Sequence, residues 1–497
     1  MDKPQGQTKP TSGLDYVTTP KLESLSAGEL AEISIDADEE RRVLRKIDWV
    51  ILPLMAGTFM LQYMDKMTLS NATMMGILED ANLQGSNYSW CSSIFYFGYL
   101  IWSWPTTYLA MRFPLGRYLS VTVILWGATL MCHAACYNFT GLMIARFFLG
   151  LTEAAISPGF TLIVGMFYRR HEQPARQNAW ISGNGLGNII NGVVAYGISR
   201  ITTARLASWR IQYLIFGAVT VLFAIPLLIL LPSSPASAIF LSPREREIAV
   251  NRTIENKTGI MDERSYKIGQ VWDALRDPQV WLMFLYMLSI NIANGAVTPF
   301  SSLIINGFGY STFTTLLLSM PAGGFQLILL ALTSFITLRF HKTRMALMVT
   351  LCLTSLTGSV LIEALPTDDN VGRLIGLYLT IALSVNTPLL LSLVSSNIAG
   401  FTKRSTVSGV MFVAYAAGNI IGPQFFLAHE APEYPTGLQA VMSSLSLGTF
   451  FNILLLVYYL VENARRDRAT AGVRAEAQVD QLSNLTDREM PSFRYVI

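Results

Sequence analysis

Gly187-Asn188-Ile189-Ile190 recurs as Gly418-Asn419-Ile420-Ile421, an offset of 231 residues. Arg112-Phe113-x-x-x-Arg117 recurs as Arg339-Phe340-x-x-x-Arg344, an offset of 227. A tetrapeptide repeats by chance in a chain of 497 residues. Two matches at nearly one offset, each at an equivalent place in the order of apolar segments, mark two related halves. Paired halves of membrane helices are the build of carriers that rock one half against the other around a central site. The pattern points to moving a solute rather than transforming one.

Composition agrees: 52% of residues are hydrophobic and 14% charged, too apolar for a water-facing surface. A bilayer-spanning helix needs ~20 mostly apolar residues. Such spans fall near 48–70, 88–110, 118–137, 141–165, 177–199, 209–231, 279–305, 313–337, 345–364, 372–396, 406–428 and 438–461. The expected fold is an all-α membrane protein, twelve transmembrane helices in two pseudo-symmetric six-helix bundles. Its divisions are a disordered tail 1–45, a bundle 46–231, a linker 232–278, a second bundle 279–462 and a tail 463–497.

Basic residues set the orientation. Arg41, Arg42, Arg45 and Lys46 precede the first span, and basic clusters recur on every second connection, ending with Arg465, Arg466 and Arg468. Both termini are therefore expected in the cytoplasm, with the plasma membrane as location. The net charge of +3 reflects this sidedness and gives no hint of nucleic acid. Residues 1–40 lack an apolar signal core. Cys91, Cys132, Cys136 and Cys352 lie in or beside apolar spans and read as buried small hydrophobes. The sequence holds no zinc spacing, nucleotide loop or Ser/His/Asp signature, so neither an enzyme nor a cofactor is expected.

The linker opens with Pro232-Ser-Ser-Pro235, runs through Arg244-Glu245-Arg246-Glu247, and ends in Ile268…Val271-Trp272…Leu275. Its last part has helical apolar spacing, expected to lie on the inner membrane surface as a mechanical tie between the halves. The hinge residues Arg112, Arg117, Arg339 and Arg344 join the second and third spans of each half. There they satisfy plain topology or pair with helix C-terminal carbonyls and acidic groups as a gate closes.

An ionisable side chain within a span costs ~2.5–3.5 kcal/mol on insertion scales, so the few that occur carry the functional information. Asp65-Lys66 lies in Tyr63-Met64-Asp65-Lys66-Met67-Thr68-Leu69-Ser70-Asn71-Ala72. On a wet cavity Lys66 holds a carboxylate, and Asp65 pairs with it or takes a proton; alternatively both snorkel to the headgroups. Arg146 and Glu153, in Arg146-Phe-Phe-Leu-Gly150-Leu-Thr-Glu153, are two turns apart on one helix face. A carboxyl at mid-membrane favours its neutral form, which makes Glu153 the first candidate for the proton site. Arg146 either neutralises Glu153 or binds an anion. Amides continue through other spans: Asn184, Asn188, Asn191, Asn291, Asn294, Gln326, Asn386, Asn397, Asn419 and Gln424. They orient a polar ligand where they face a cavity and join helices where they do not. Asn184, Asn188, Asn294, Asn386 and Asn419, with Lys66 and Arg146, form the candidate substrate site.

Tyr63-Met-Asp65-Lys66, Arg146-Phe-x-Leu-Gly150-x-x-Glu153-Ala and Glu172-Gln173-x-x-Arg176 resemble the major facilitator superfamily, and within it the fungal allantoate permease group of the anion:cation symporters. Tyr415-x-x-Gly418-Asn419-Ile-Ile-Gly422-Pro423-Gln424-Phe and Ala431-Pro-x-Tyr-Pro-Thr-Gly437 fit the same group, and the likeness spans roughly 45–462. The resemblance implies alternating access and proton-coupled movement of small organic anions. Lys66 matches a basic residue used for anion recognition in related carriers. Arg146 and Glu153 match their fourth-helix pair, whose acid is tied to proton coupling. One departure stands out: the seventh span carries Asn291 and Asn294 and no basic residue where some relatives have an arginine, which favours a monoanion or zwitterion over a dicarboxylate.

The expectation is a monomeric proton symporter for a small carboxylate-bearing nutrient, powered by the proton gradient and partnered by substrate, protons and lipid. A proton-coupled exporter and a non-transporting nutrient sensor are the alternatives.

Overall fold

The computed structural model describes residues 36–169, 172–201, 205–254, 267–340, 342–470, 485–490 and 493–497. Of the tail expected over 1–45, residues 1–35 lie outside this set, and helix begins at Ala37. Asp36 caps that helix, and Asp38, Glu39 and Glu40 in its first turn complement the helix dipole.

Six long helices make the N-terminal bundle: α1 (Ala37–Met74), α2 (Asn87–Arg112), α3 (Leu115–Cys132), α4 (Phe139–Phe167), α5 (Gln173–Ile181 and Gly183–Ser199) and α6 (Ser208–Leu230). Two shorter helices follow, α7 (Pro243–Ile254) and α8 (Ile268–Leu275). The C-terminal bundle repeats the plan with α9 (Pro278–Gly307), α10 (Thr312–Arg339), α11 (Arg344–Ala364), α12 (Asn370–Asn397), α13 (Phe401–Ile421) and α14 (Pro435–Thr470). Outward faces stay apolar and exposed, as on Leu222, Ile225 and Ile229 of α6 and Phe450, Val457 and Val461 of α14, which is the surface a bilayer requires.

Among the described residues, ten helices are long and apolar enough to cross a membrane. Among the twelve, α2 and α5 are the exceptions, and both spend their polar and glycine residues on protein neighbours. Gly183 and Gly187 of α5 lie against the α1 backbone at Ala56 and Met60, and Gly185 lies against Gly323 of α10. Ser93 of α2 donates to the Ile420 carbonyl of α13 at 2.7 Å. A helix that faces other helices needs small and polar residues for close packing rather than a wholly apolar surface.

The bundles meet most tightly at the end away from the termini. Ser70 Oγ lies 3.0 Å from Ser302 Oγ, Tyr88 Oη donates to the Pro299 carbonyl at 2.5 Å, and Gln424 Nε2 donates to Ser93 Oγ at 2.8 Å. Tyr88, Phe300 and Phe426 stack across the same seam, with ring centroids 5.1 and 4.4 Å apart. At the terminal end the halves share the Asn178–Ser334 hydrogen bond at 2.8 Å.

The linker is expected from sequence to tie the halves together; its residues 255–266 lie outside the described set, and among the described residues each of its helices is fastened to one half. α7 belongs to the N-terminal bundle: Arg252, 1% exposed at its side chain, pairs with Glu40 at 2.8 Å and Glu172 at 2.6 Å. Lys46–Glu245 and Arg244–Glu39, both at 2.7 Å, add to the same seam. α8 belongs to the C-terminal bundle, where Gln270 Oε1 accepts the backbone N–H groups of Thr402 and Lys403, open donors at the start of α13. Ile268 and Trp272, one turn apart, form its exposed apolar edge.

Candidate functional site

Glycine and proline place the charges. A Cβ on Gly150 would collide with the Phe95 carbonyl, and one on Gly98 with the Phe147 carbonyl, so α4 and α2 pack backbone to backbone. Pro158 cannot donate to the Ala154 carbonyl, and α4 breaks at Ala154–Ala155, directly after Glu153. This holds Arg146 and Glu153 two turns apart on the buried side of one short helix. Arg146 is 5% exposed and Glu153 fully buried.

On α1, Asp65 is 1% exposed and accepts from Trp126 Nε1 of α3 at 2.7 Å. Its carboxyl lies within hydrogen-bonding reach of Glu153, which also approaches Gln62. Both Glu153 oxygens and Asp65 Oδ1 lack a hydrogen-bond donor. One proton held between the two carboxyls would join one oxygen of each, because a protonated carboxyl donates to its neighbour, and leave one Glu153 oxygen open. Of the alternatives the sequence leaves open, direct pairing within a motif is not seen: among the described residues no ion pair joins Asp65 to Lys66 or Arg146 to Glu153. Successive residues on a helix point about 100° apart, so Asp65 turns into the bundle and Lys66 toward the cleft.

A small cavity lies between the halves. Lys66, Ser92, Phe95, Tyr96 and Arg146 line one side, and Gly295, Thr298 and Pro299 of α9 the other. Tyr96, Tyr99, Tyr415 and Glu153 surround Lys66. Two cations beside hydroxyls and aromatic rings have the chemistry to hold an anionic group, with apolar contact next to it. Tyr96, Thr298, Gln62 and Trp126 are contributors that the sequence did not mark, and Tyr415 is marked there only as part of a family motif. Tyr99 also stands beside Lys66.

The amides divide. Asn294 Nδ2 donates to Asn419 Oδ1 at 2.9 Å, and Asn419 Nδ2 to Asn291 Oδ1 at 3.1 Å, a chain that knits α9 to α13. Thr298 joins it to the cavity by donating to Asn294 Oδ1 at 3.3 Å. Asn386 is fully buried inside the C-terminal bundle against Cys352. Asn188 packs at the α5–α10 crossing beside Gly323, and Asn184 is half-buried on α5. None of the candidate amides Asn184, Asn188, Asn294, Asn386 and Asn419 is on the cavity wall. Of the hinge residues, Arg112 donates to Tyr108 Oη at 3.0 Å, Arg339 lies 5.9 Å from the Phe340 ring, and Arg344 donates to Ser396 Oγ at 2.8 Å. Arg117 follows the turn at Pro114.

The sequence model of the Major Facilitator Superfamily matches residues 54–423. The chain belongs to that superfamily. Within it, the chain groups with fungal relatives of the allantoate permease type. It is 33% identical to the allantoate permease of Saccharomyces cerevisiae over 503 residues, covering 98% of this chain and 92% of that one. An uncharacterized transporter of Schizosaccharomyces pombe is 38% identical over 461 residues, covering 92% and 86%. Among solved structures, the xylose transporter of E. coli aligns with a TM-score of 0.62 at 15% identity, covering 81% of this chain and 96% of that one, a likeness of fold. This superfamily member is a multi-pass membrane transporter, not an enzyme, and its cargo is a small molecule.

Proposed function

We propose that this transporter carries a small carboxylate-bearing nutrient together with protons, inward across the plasma membrane, with both termini cytoplasmic. The observation that carries the reading is the stacking of two buried charge sets on α1 and α4. The Lys66–Arg146 cations face the cavity, and the Asp65–Glu153 carboxyls lie behind them with oxygens awaiting a donor. Protonating the carboxyls leaves the cations uncompensated, so an anionic cargo is favoured in the same step; losing the proton reverses this. Allantoate, named for a relative, has the carboxylate this arrangement asks for. The absence of a basic residue in α9 at Asn291 and Asn294 restricts the demand to one negative charge.

The test is uptake of labelled allantoate, other ureides, pyridine carboxylates and short peptides into cells expressing the chain, with and without a proton gradient. Gradient-driven uptake of one compound, lost in Glu153→Gln while exchange of preloaded compound survives, is the expected result. Efflux of the panel, or binding with no flux while the protein is at the surface, would overturn the importer reading in favour of an exporter or a sensor.

A further inference from the structure

The end of the chain is held as a bound peptide is held. Asn463 Nδ2 donates to the Tyr495 carbonyl at 2.9 Å, and its Oδ1 accepts from Tyr495 N at 2.9 Å. One residue on, Asn397 Nδ2 donates to the Val496 carbonyl at 2.9 Å and its Oδ1 accepts from Val496 N at 2.7 Å. A side-chain amide offers the donor and acceptor of a peptide group, so both asparagines read extended main chain, as an added strand would. Asn397 ends α12 and Asn463 lies about two turns before the end of α14; the described residues contain no strand.

Side chains then fix the register. The Tyr495 ring stacks on Tyr459 with centroids 4.9 Å apart and lies 4.7 Å from the Arg466 guanidinium. Tyr495 Oη donates to Asp487 Oδ2 at 2.8 Å; burial, aided by that carboxylate, pushes the phenol up and keeps its proton in place. Asp487, fully buried, also meets Lys403 Nζ at 2.9 Å and Gln279 Nε2 at 2.9 Å. Arg466 donates to the carbonyls of Asp487 and Phe493, each at 3.0 Å.

The charges allow this segment to leave. Its ion pairs include Asp487 to Lys403 at 2.9 Å, Arg488 to Asp273 at 3.2 Å and Arg494 to the exposed Asp467 at 2.7 Å. With the segment away, Lys403 keeps Asp277 at 2.7 Å and Asp273 at 2.9 Å, and Arg466 keeps Glu462 at 2.9 Å. No buried cation is stranded, the condition that otherwise makes breaking a buried pair prohibitive.

We propose that the terminal end of the C-terminal bundle is a peptide-binding site, and that its ligand is this chain's own residues 485–490 and 493–497, bound reversibly. Its class of ligand is an extended peptide with an acidic residue and, eight positions on, a tyrosine. Occupancy ties α8, α9, α12, α13 and α14 together at the end where the halves are least joined.

The experiment is hydrogen exchange by mass spectrometry on the full chain in lipid nanodiscs, using synthetic peptide Leu485–Ile497 as probe. The C-terminal fragment containing Tyr495 and Val496 is expected to exchange at least about tenfold more slowly than the free peptide. Excess probe should displace the tethered segment and raise its exchange. The Asn397→Ala/Asn463→Ala double variant should lose the protection while its helix amides exchange as in wild type. Exchange of the wild-type fragment at the free-peptide rate would overturn the site. Protection that excess probe does not change would overturn reversibility. Neither readout depends on what is transported.

Discussion

Two clusters of buried charge sit in this molecule, one in each half, and they are built on opposite principles. In the C-terminal bundle, Lys403 is surrounded by Asp273, Asp277 and Asp487 at 2.7–2.9 Å. In the N-terminal bundle, Asp65, Glu153 and Arg146 lie close together, yet both Glu153 oxygens, Asp65 Oδ1 and Arg146 Nε have no partner. A cluster with several carboxylates on one cation stays compensated when one of them leaves, as Lys403 does on Asp273 and Asp277. An unsaturated one in a low-dielectric setting is costly, and the fold retains it at the site where a proton and an anion would complete it.

Substitutions sharpen the contrast. The largest structural loss is expected from Lys403→Ala, which leaves the buried Asp277 and Asp487 without their cation while Asp273 keeps Arg488, and should cost ~3–5 kcal/mol, read as a fall in thermal midpoint of the purified protein. Glu153→Gln should leave that midpoint at or above wild type, because a neutral amide relieves the crowded carboxyl, while gradient-driven uptake disappears. If Glu153→Gln unfolds the protein, the distinction between the clusters fails. Gly150→Ala forces α4 off the Phe95 carbonyl; overpacking of this kind costs ~1–3 kcal/mol, and uptake should fall with the displacement of Arg146 and Glu153. Asp487→Asn should cost less, roughly 1 kcal/mol, since Lys403 retains two carboxylates and the amide still hydrogen-bonds. Arg244→Ala, at the exposed pair with Glu39, should change neither midpoint nor uptake measurably.

Much of the architecture was legible in the sequence, because a bilayer writes its demand as long apolar runs and a duplicated half writes a repeat. Lys66, Arg146 and Glu153 were legible for the same reason: a charge in such a run has to be explained. Facing was harder. Asp65 and Lys66 are neighbours in sequence, and only the packing of α3 against α1, with Trp126 as donor, separates their roles. Asn386 and Asn419 have the same composition signal as a ligand-binding amide, but the rotation of their helices turns one to Cys352 and the other to Asn291 and Asn294. The docked C-terminal segment left no mark at all. Its contacts are main-chain hydrogen bonds and single anchors, which need no periodicity in the residues that make them.

The separate fastening of α7 and α8 reaches beyond the transport cycle. Among the described residues each half carries its own short helix at its terminal end, and the halves meet directly at Ser70–Ser302, Tyr88–Pro299 and Gly185–Gly323. The molecule is in this sense a heterodimer written as one polypeptide, its halves joined by surfaces as well as by chain.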